Sequence, residues 1–251
     1  MRTSNILVFI AALFVVISLG YYDLLLKKAY DSGRYKDIYN GYTTLKNKDF
    51  DTVDVISSSA ANVKFEQGPF SVRVDSVALE YVRVVQTGRK IQITAEFKDG
   101  YLFNRNTYLL VIRCPKLVTV NVNARYYINK GKPYIDTIVR DEWHMKDVLI
   151  NGFKQDTLNV NQDYGSTVVF DHNAIKNLNV TSGKSPVSAS KTIVLEDNQF
   201  GNASFNIGSK SRLMIYDGSI TSFNYHLADS ARLELNGVAQ QILNNQKPIK
   251  K

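Results

Sequence analysis

The densest set of chemically capable side chains is the octapeptide RDEWHMKD, residues 140–147. Arg140, Asp141 and Glu142 stand directly before the only tryptophan, Trp143, and His144. Two acids beside an indole platform and a titratable imidazole could grip a sugar. Polysaccharide lyases and glycosidases need more: paired carboxylates, or a base with Arg or Lys, converging on one face. Adjacent residues in a strand point to opposite faces, so Asp141 and Glu142 would diverge. The plainer reading is a polar hairpin or loop with Trp143 at the edge of the core. Residues 140–144 are therefore candidate binding residues, and no residue is given a catalytic role. The three histidines, His144, His172 and His226, have no metal-ligand spacing. His172 and His226 read as exposed turn or surface residues. There is no phosphate-cradling glycine loop and no nucleophile elbow, so neither metal nor cofactor is expected. The lone cysteine, Cys114, excludes an internal disulfide and reads as a small buried hydrophobe.

A second pattern is Asp-(Ser/Thr)-apolar, at Asp51-Thr52-Val53, Asp75-Ser76-Val77, Asp136-Thr137-Ile138, Asp156-Thr157-Leu158 and Asp229-Ser230-Ala231. It resembles an acceptor tripeptide for O-glycosylation of exported bacterial proteins, which would place glycans on Thr52, Ser76, Thr137, Thr157 and Ser230. The competing reading is local: Asp and Ser/Thr make side-chain turns ahead of strands.

The elements that would carry these residues are strands. From Phe50 onward apolar residues alternate with polar ones, as in Val53/Val55, Val63/Phe65, Val72/Val74 and Ile91/Ile93/Ala95/Phe97. Turn signals EQG (66–68), TGR (87–89) and KDG (98–100) separate the runs. An apolar-Asn-apolar triplet then recurs at Val120-Asn121-Val122, Leu158-Asn159-Val160, Leu178-Asn179-Val180, Phe205-Asn206-Ile207 and Phe223-Asn224-Tyr225. The last four are each followed by a second short apolar strand ending in a polar turn, giving an irregular repeat of about 18–27 residues. One such unit cannot cover its own apolar face, whereas units stacked at about 4.8 Å share a core and line up their outward Asn side chains. The expected fold class is all-β, a parallel β-helix or solenoid with irregular first coils, preceded by one transmembrane helix. A β-sandwich shares the short alternating strands but does not explain the returning triplet. The segment VAQQILNNQKPIKK is expected to close the far end, with Val238, Ile242 and Leu243 over the last coil.

Residues 6–26, ILVFIAALFVVISLGYYDLLL, contain one charge, Asp23, and match the roughly 20 apolar residues that span a bilayer. Ser18-Leu19-Gly20 also offers a signal-peptide cleavage pattern. The expected organisation is a membrane anchor over 1–26, a polar stalk over 27–49, the first part of the β-solenoid over 50–150, regular coils over 151–245 and a basic tail over 246–251. Counting flanking lysines and arginines would place the bulk of the chain in the cytoplasm, while the five-residue N-terminal tail suits a signal anchor. The formal charge of +8 is spread along the chain without an aromatic stacking platform, which argues against nucleic acid as a partner.

Three stretches, FDTVDVISSSAANVKFEQGPFSVRVD (50–75), GRKIQITAEF (88–97) and YLLVIRCPKLVTVNVNA (108–124) with its Pro115-Lys116-Leu117, resemble the auto-transporter adhesin head GIN domain family. The likeness covers residues 50–240 and departs from the family pattern over 123–147. The resemblance implies an exported bacterial β-helical protein, anchored in the inner membrane with its β domain outside the cytoplasm, and with no assigned catalytic residues. The function expected is a non-enzymatic adhesion, interaction or structural module of the envelope, binding glycan or protein through its lateral faces. A carbohydrate-active enzyme is the main alternative, and a signalling partner a third. Oligomeric state is left open.

Overall fold

The structure, a computed structural model, describes residues 3–33, 36–98, 100, 108–138 and 147–241. Two compact units divide it near Tyr42. In the first, helix α1 (Thr3–Asp31) covers 29 residues, and an apolar stretch within it has a mean hydropathy of 2.2. By length and composition it can cross a membrane; a signal sequence meets the same test. Segment 27–49 begins inside this helix and ends beyond the first strand, β1 (Tyr42–Leu45).

Among the described residues, the regular elements of the second unit are strands, apart from two short 3-10 turns at Ala78–Glu80 and Gly237–Gln240. After β1 come β2 (Thr52–Val55), β3 (Val63–Gln67), β4 (Ser71–Asp75), β5 (Val82–Thr87), β6 (Lys90–Phe97), β7 (Leu110–Cys114), β8 (Thr119–Val122), β9 (Arg125–Ile128) and β10 (Tyr134–Ile135). These first strands interleave. β2 lies between β6 and β8, and β3 between β7 and β11 (Asp147–Asn151). Antiparallel pairs β4/β7, β5/β6 and β9/β10 make the sheets mixed. Thr87 pairs with Lys90 across a two-residue turn whose first member, Gly88, has φ 58°, as a tight hairpin requires.

From β11 the pattern becomes regular. β12 (Lys154–Gln162), β14 (Ala174–Ser182), β16 (Gln199–Ile207) and β18 (Ser219–Leu227) join one sheet, and β13 (Thr167–Asp171), β15 (Lys191–Val194), β17 (Arg212–Ile215) and β19 (Arg232–Leu235) join the other. The chain alternates between the sheets, and every neighbour within this region is parallel and in register. The register partners Asp147, Thr167, Lys191, Arg212 and Arg232 lie 20, 24, 21 and 20 residues apart, inside the repeat length expected. Neither sheet closes on itself among the described strands.

Alternation in the sequence becomes two inward columns. Phe65, Ile150, Phe170, Val194 and Ile215 stack in the first sheet, and Val53, Val120, Val160, Val180 and Phe205 in the second. All are buried, and residues of both sheets form one core cluster. Each such side chain contributes about 1.5–3 kcal/mol of burial. At the far end the column runs out: Tyr225 is 41% exposed and Leu227, Leu233 and Leu235 are half-buried. The expectation for this end needs correction. Val238 is 60% exposed, and it is Ala239 that is buried; Ile242 and Leu243 lie outside the described residues. The basic tail also lies outside them. Cys114 is fully buried, as expected.

The corners leading into the second sheet have their own chemistry. Gly152, His172 and Asp197 each adopt φ between 55° and 74°; Gly does so freely, and Asp and His are among the side chains that tolerate it best. The next residues, Phe153, Asn173 and Asn198, are buried one above another. Asn173 accepts from the Phe153 N–H (3.0 Å) and donates to the Ile150 carbonyl (2.9 Å) and to Asn198 Oδ1 (3.0 Å). Asn198 donates in turn to the carbonyls of Phe170 (3.0 Å) and Leu195 (2.8 Å). Side-chain amides here satisfy backbone groups that the turn removes from the sheet ladder.

Candidate functional site

The outer face of the second sheet carries the recurring Asn residues, in a register the triplets do not reveal. One column runs Thr119, Asn159, Asn179, Ser204, Asn224, and the next runs Asp54, Asn121, Asn161, Thr181, Asn206, His226. A third runs Thr157, Asn177, Asn202, Ser222. The triplets of β8 and β16 thus sit one column over from those of β12, β14 and β18. Within columns the amides are laddered: Asn179 donates to Asn159 (3.0 Å), Asn161 to Asn121 (3.0 Å), Asn121 to Asp54 (2.6 Å) and Asn202 to Asn177 (3.0 Å). The expected ladder exists, divided into short runs.

Beside these columns the four long strands share a kink. Pairing skips the column Asp156, Lys176, Gly201, Thr221. There two successive residues stand on the outer side: Asp156-Thr157, Lys176-Asn177, Gly201-Asn202 and Thr221-Ser222 are each exposed or half-buried, between the inner columns Ile175/Phe200 and Leu158/Leu178/Ala203/Phe223. The kink brings backbones close. A Cβ on Gly201 would stand 2.7 Å from the Lys176 carbonyl oxygen, so glycine is required. A groove of about 660 Å³ follows the kink across all four strands; Lys154, Asp156, Lys176, Gln199, Ser219 and Thr221 line it, together with the buried Ile175 and Phe200.

Charge in the groove is arranged as well. Lys176 Nζ lies 2.6 Å from Asp156 Oδ1. The hydrogen bond and charge of Lys176 hold the Asp156 carboxyl below its ordinary value, with a smaller contribution from the charge of Lys116, and Asp156 raises Lys176 in return. Two glutamines fasten the neighbouring backbone where β8 is too short to pair. Gln67 accepts from Lys154 N (3.1 Å) and donates to Lys154 O (3.2 Å). Gln155 accepts from Leu117 N (3.0 Å) and donates to Leu117 O (2.6 Å).

Residues singled out from sequence fare differently. Arg140, Asp141, Glu142, Trp143 and His144 lie outside the described residues. The five hydroxyls are scattered: Thr52 donates to Asp51 (3.1 Å), Ser76 meets Thr43 Oγ1 (2.9 Å), and Ser230 accepts from Lys210 N (3.0 Å). Thr137 and Thr157 are half-buried, whereas Ser76 and Ser230 are exposed. Asp75 and Asp136 each accept from the N–H two residues on, at 2.8 and 3.1 Å, which is the local-turn chemistry. His172 and His226 are exposed. His172 stands between Asp171 (2.7 Å) and Asp197 (3.3 Å). Among the described residues no group of three or more His, Cys, Asp or Glu could hold a metal ion. The groove residues were missed from sequence. Their signal was a break in the two-residue alternation, a polar pair immediately before Leu158, Leu178, Ala203 and Phe223.

No family model and no curated protein matches the chain. Among solved structures it is similar to a candidate adhesin from Bacteroides fragilis, at 11% identity and a TM-score of 0.36 over 77% of this chain and 95% of the other. It is also similar to a candidate lipid-binding protein from Parabacteroides distasonis, at 15% identity and a TM-score of 0.32 over 78% and 94%. A candidate adhesin from Parabacteroides merdae matches at 13% identity and a TM-score of 0.31, over 78% and 92%.

Proposed function

We propose that this chain is a non-enzymatic envelope protein that binds glycan or another protein through the lateral faces of a parallel β-solenoid with irregular first coils. Residues 6–26 anchor it in the inner membrane, and the β domain lies outside the cytoplasm. The observation that carries this reading is the outer face of the second sheet, where exposed Asn, Ser and Thr columns run beside a groove across β12, β14, β16 and β18. Columns of donors and acceptors at a fixed spacing suit an extended or repetitive partner. The resemblance of residues 50–240 to the head GIN family supports the same reading. The full chain in nanodiscs should bind members of a glycan array, or an envelope protein partner, and release no product from any polysaccharide. Product release would overturn the non-enzymatic reading. Protease digestion of intact spheroplasts should remove the β domain; protection would put it in the cytoplasm. Ser76 and Ser230 are the proposed acceptor hydroxyls best placed for O-glycans, and an intact mass equal to the bare polypeptide would exclude modification.

A further inference from the structure

We infer that the kink groove is a binding site for an anionic oligosaccharide, its acidic group seated at the β12 end and its neutral hydroxyls along β16 and β18. The inference rests on the glycan form of the lateral-face reading and names its site and chemistry.

The first argument is charge. Lys154 and Lys176 line the groove with one carboxylate, Asp156, and that carboxylate is already taken by Lys176 at 2.6 Å; the charge of Lys116, just outside the lining, also reaches Asp156. Among the described residues Lys116 and Lys154 have no ion-pair partner. Their backbones are not loose: the Gln67 amide grips Lys154 and the Gln155 amide grips Leu117, beside Lys116. Lys154 is thus carried into the groove lining on a fixed backbone with its charge unpaired. The acids at the nearby corners do not line the groove; Asp171 and Asp197 face His172, and Asp217 accepts from Gly218 N.

The second argument is polarity along the groove. From β16 and β18 the lining includes Gln199, Ser219 and Thr221, whose side chains make no hydrogen bond among the described residues. An amide and two hydroxyls offer donors and acceptors together, as sugar hydroxyls require. The groove crosses four strands, about 14 Å at the usual inter-strand spacing, and its volume lies in the range of small-molecule sites.

The third argument sets oligosaccharide against acidic peptide. A peptide that recognises a sheet by strand addition needs an unpaired strand edge; among the described strands lining the groove only β18 has one, β12, β14 and β16 being paired on both sides, and the groove runs across the strands rather than along that edge. Ile175 and Phe200 also line the groove but are buried, so the accessible lining is mostly polar or charged.

The test uses the full chain in zwitterionic nanodiscs, titrated with an oligogalacturonate, a phosphorylated mannan fragment, neutral maltotetraose and an oligoglutamate peptide. The expected result is binding of a charged oligosaccharide, weakening with salt, and at least about tenfold tighter than the neutral one, the scale of a charge-assisted contact. The carboxylate and phosphate arms identify which acid is read. Lys116→Ala with Lys154→Ala should weaken this binding by about tenfold with unchanged thermal unfolding, and Gln199→Trp, which fills the groove without altering charge, should abolish it. Equal affinity for maltotetraose, equal affinity for the peptide, or unchanged binding by both variants would overturn the assignment. In the last case the glycan reading of the lateral faces survives and only the site is wrong. Binding of none of the sugars here or on a wide array would remove the inference and the glycan form of the proposed function together.

Discussion

Asn173 shows how much a single amide can do when it replaces a strand neighbour. It serves the Phe153 N–H, the Ile150 carbonyl and Asn198 at once, and it is buried. Asn173→Ala strands those groups without water, so the unfolding free energy should fall by about 3 kcal/mol, read as a lower urea midpoint at unchanged slope. In sequence the residue was visible only as the last letter of the turn DHN; a turn asparagine looks the same whether it faces solvent or a column of its own kind. Glu66 makes a pH-dependent contribution. Burial pushes its carboxyl up, but Lys64 (2.7 Å) and Arg113 (2.6 Å) outweigh that and hold it below its ordinary value. A carboxyl lowered in the folded state adds stability above its unfolded pKa of about 4.3 and loses it as pH falls through the folded value. Glu66→Gln should therefore lower the urea midpoint at pH 7 and leave it nearly unchanged at pH 2–3. The Cys114 thiol, pushed by burial up to about 12, should resist alkylation at pH 8 in the native protein and react at once in denaturant.

At the scale of elements, turns differ in what they demand of glycine. Gly208 lies so close to the Gly183 carbonyl that an added Cβ would collide with it, whereas a Cβ on Gly152 meets nothing within 4 Å. Gly152 needs only its φ of 74°. Gly152→Ala should cost about 1 kcal/mol and Gly208→Ala clearly more, about 2–3 kcal/mol with local rearrangement; comparing the two urea midpoints checks the distinction. The strands themselves were legible from period-two alternation, because each inward residue must be apolar wherever one face is buried. The registers were not. The rung from Thr167 to Lys191 is 24 residues where its neighbours need 20 or 21, and such differences decide which Asn stands over which. The interleaving of β2 and β3 between later strands depends on partners tens of residues away, which local pattern cannot encode. The kink was written in the sequence as four broken alternations, but a single break reads as a turn until the breaks are known to coincide.

From β11 to β19 every sheet neighbour is parallel and adjacent in the stack, so stability there is close to a sum over rungs and the interfaces between them. Among the described strands the last rung has a partner on one side only, and its core residues are less buried than those of β13 and β14. Hydrogen exchange should therefore be fastest in β18 and β19 and slowest near β12 to β14. Uniform protection from β11 to β19 would show that the stack opens only as one body. The sequence conveyed that repeating units exist and that Asn residues would line up outside. It did not convey how the first half is paired, since strands β4, β5 and β10 pair antiparallel and follow no repeat.

From β11 onward the order of rungs in the stack is the order of residues in the chain. From β13 on, each new turn of chain is delivered next to a finished surface, with its partner strand only 20 to 25 residues upstream. Assembly can then run like a zipper behind the ribosome, each loop closure short and each template already waiting. A polypeptide cut short at any rung would keep every earlier rung with its partner beneath it, and only the newest edge would lack one.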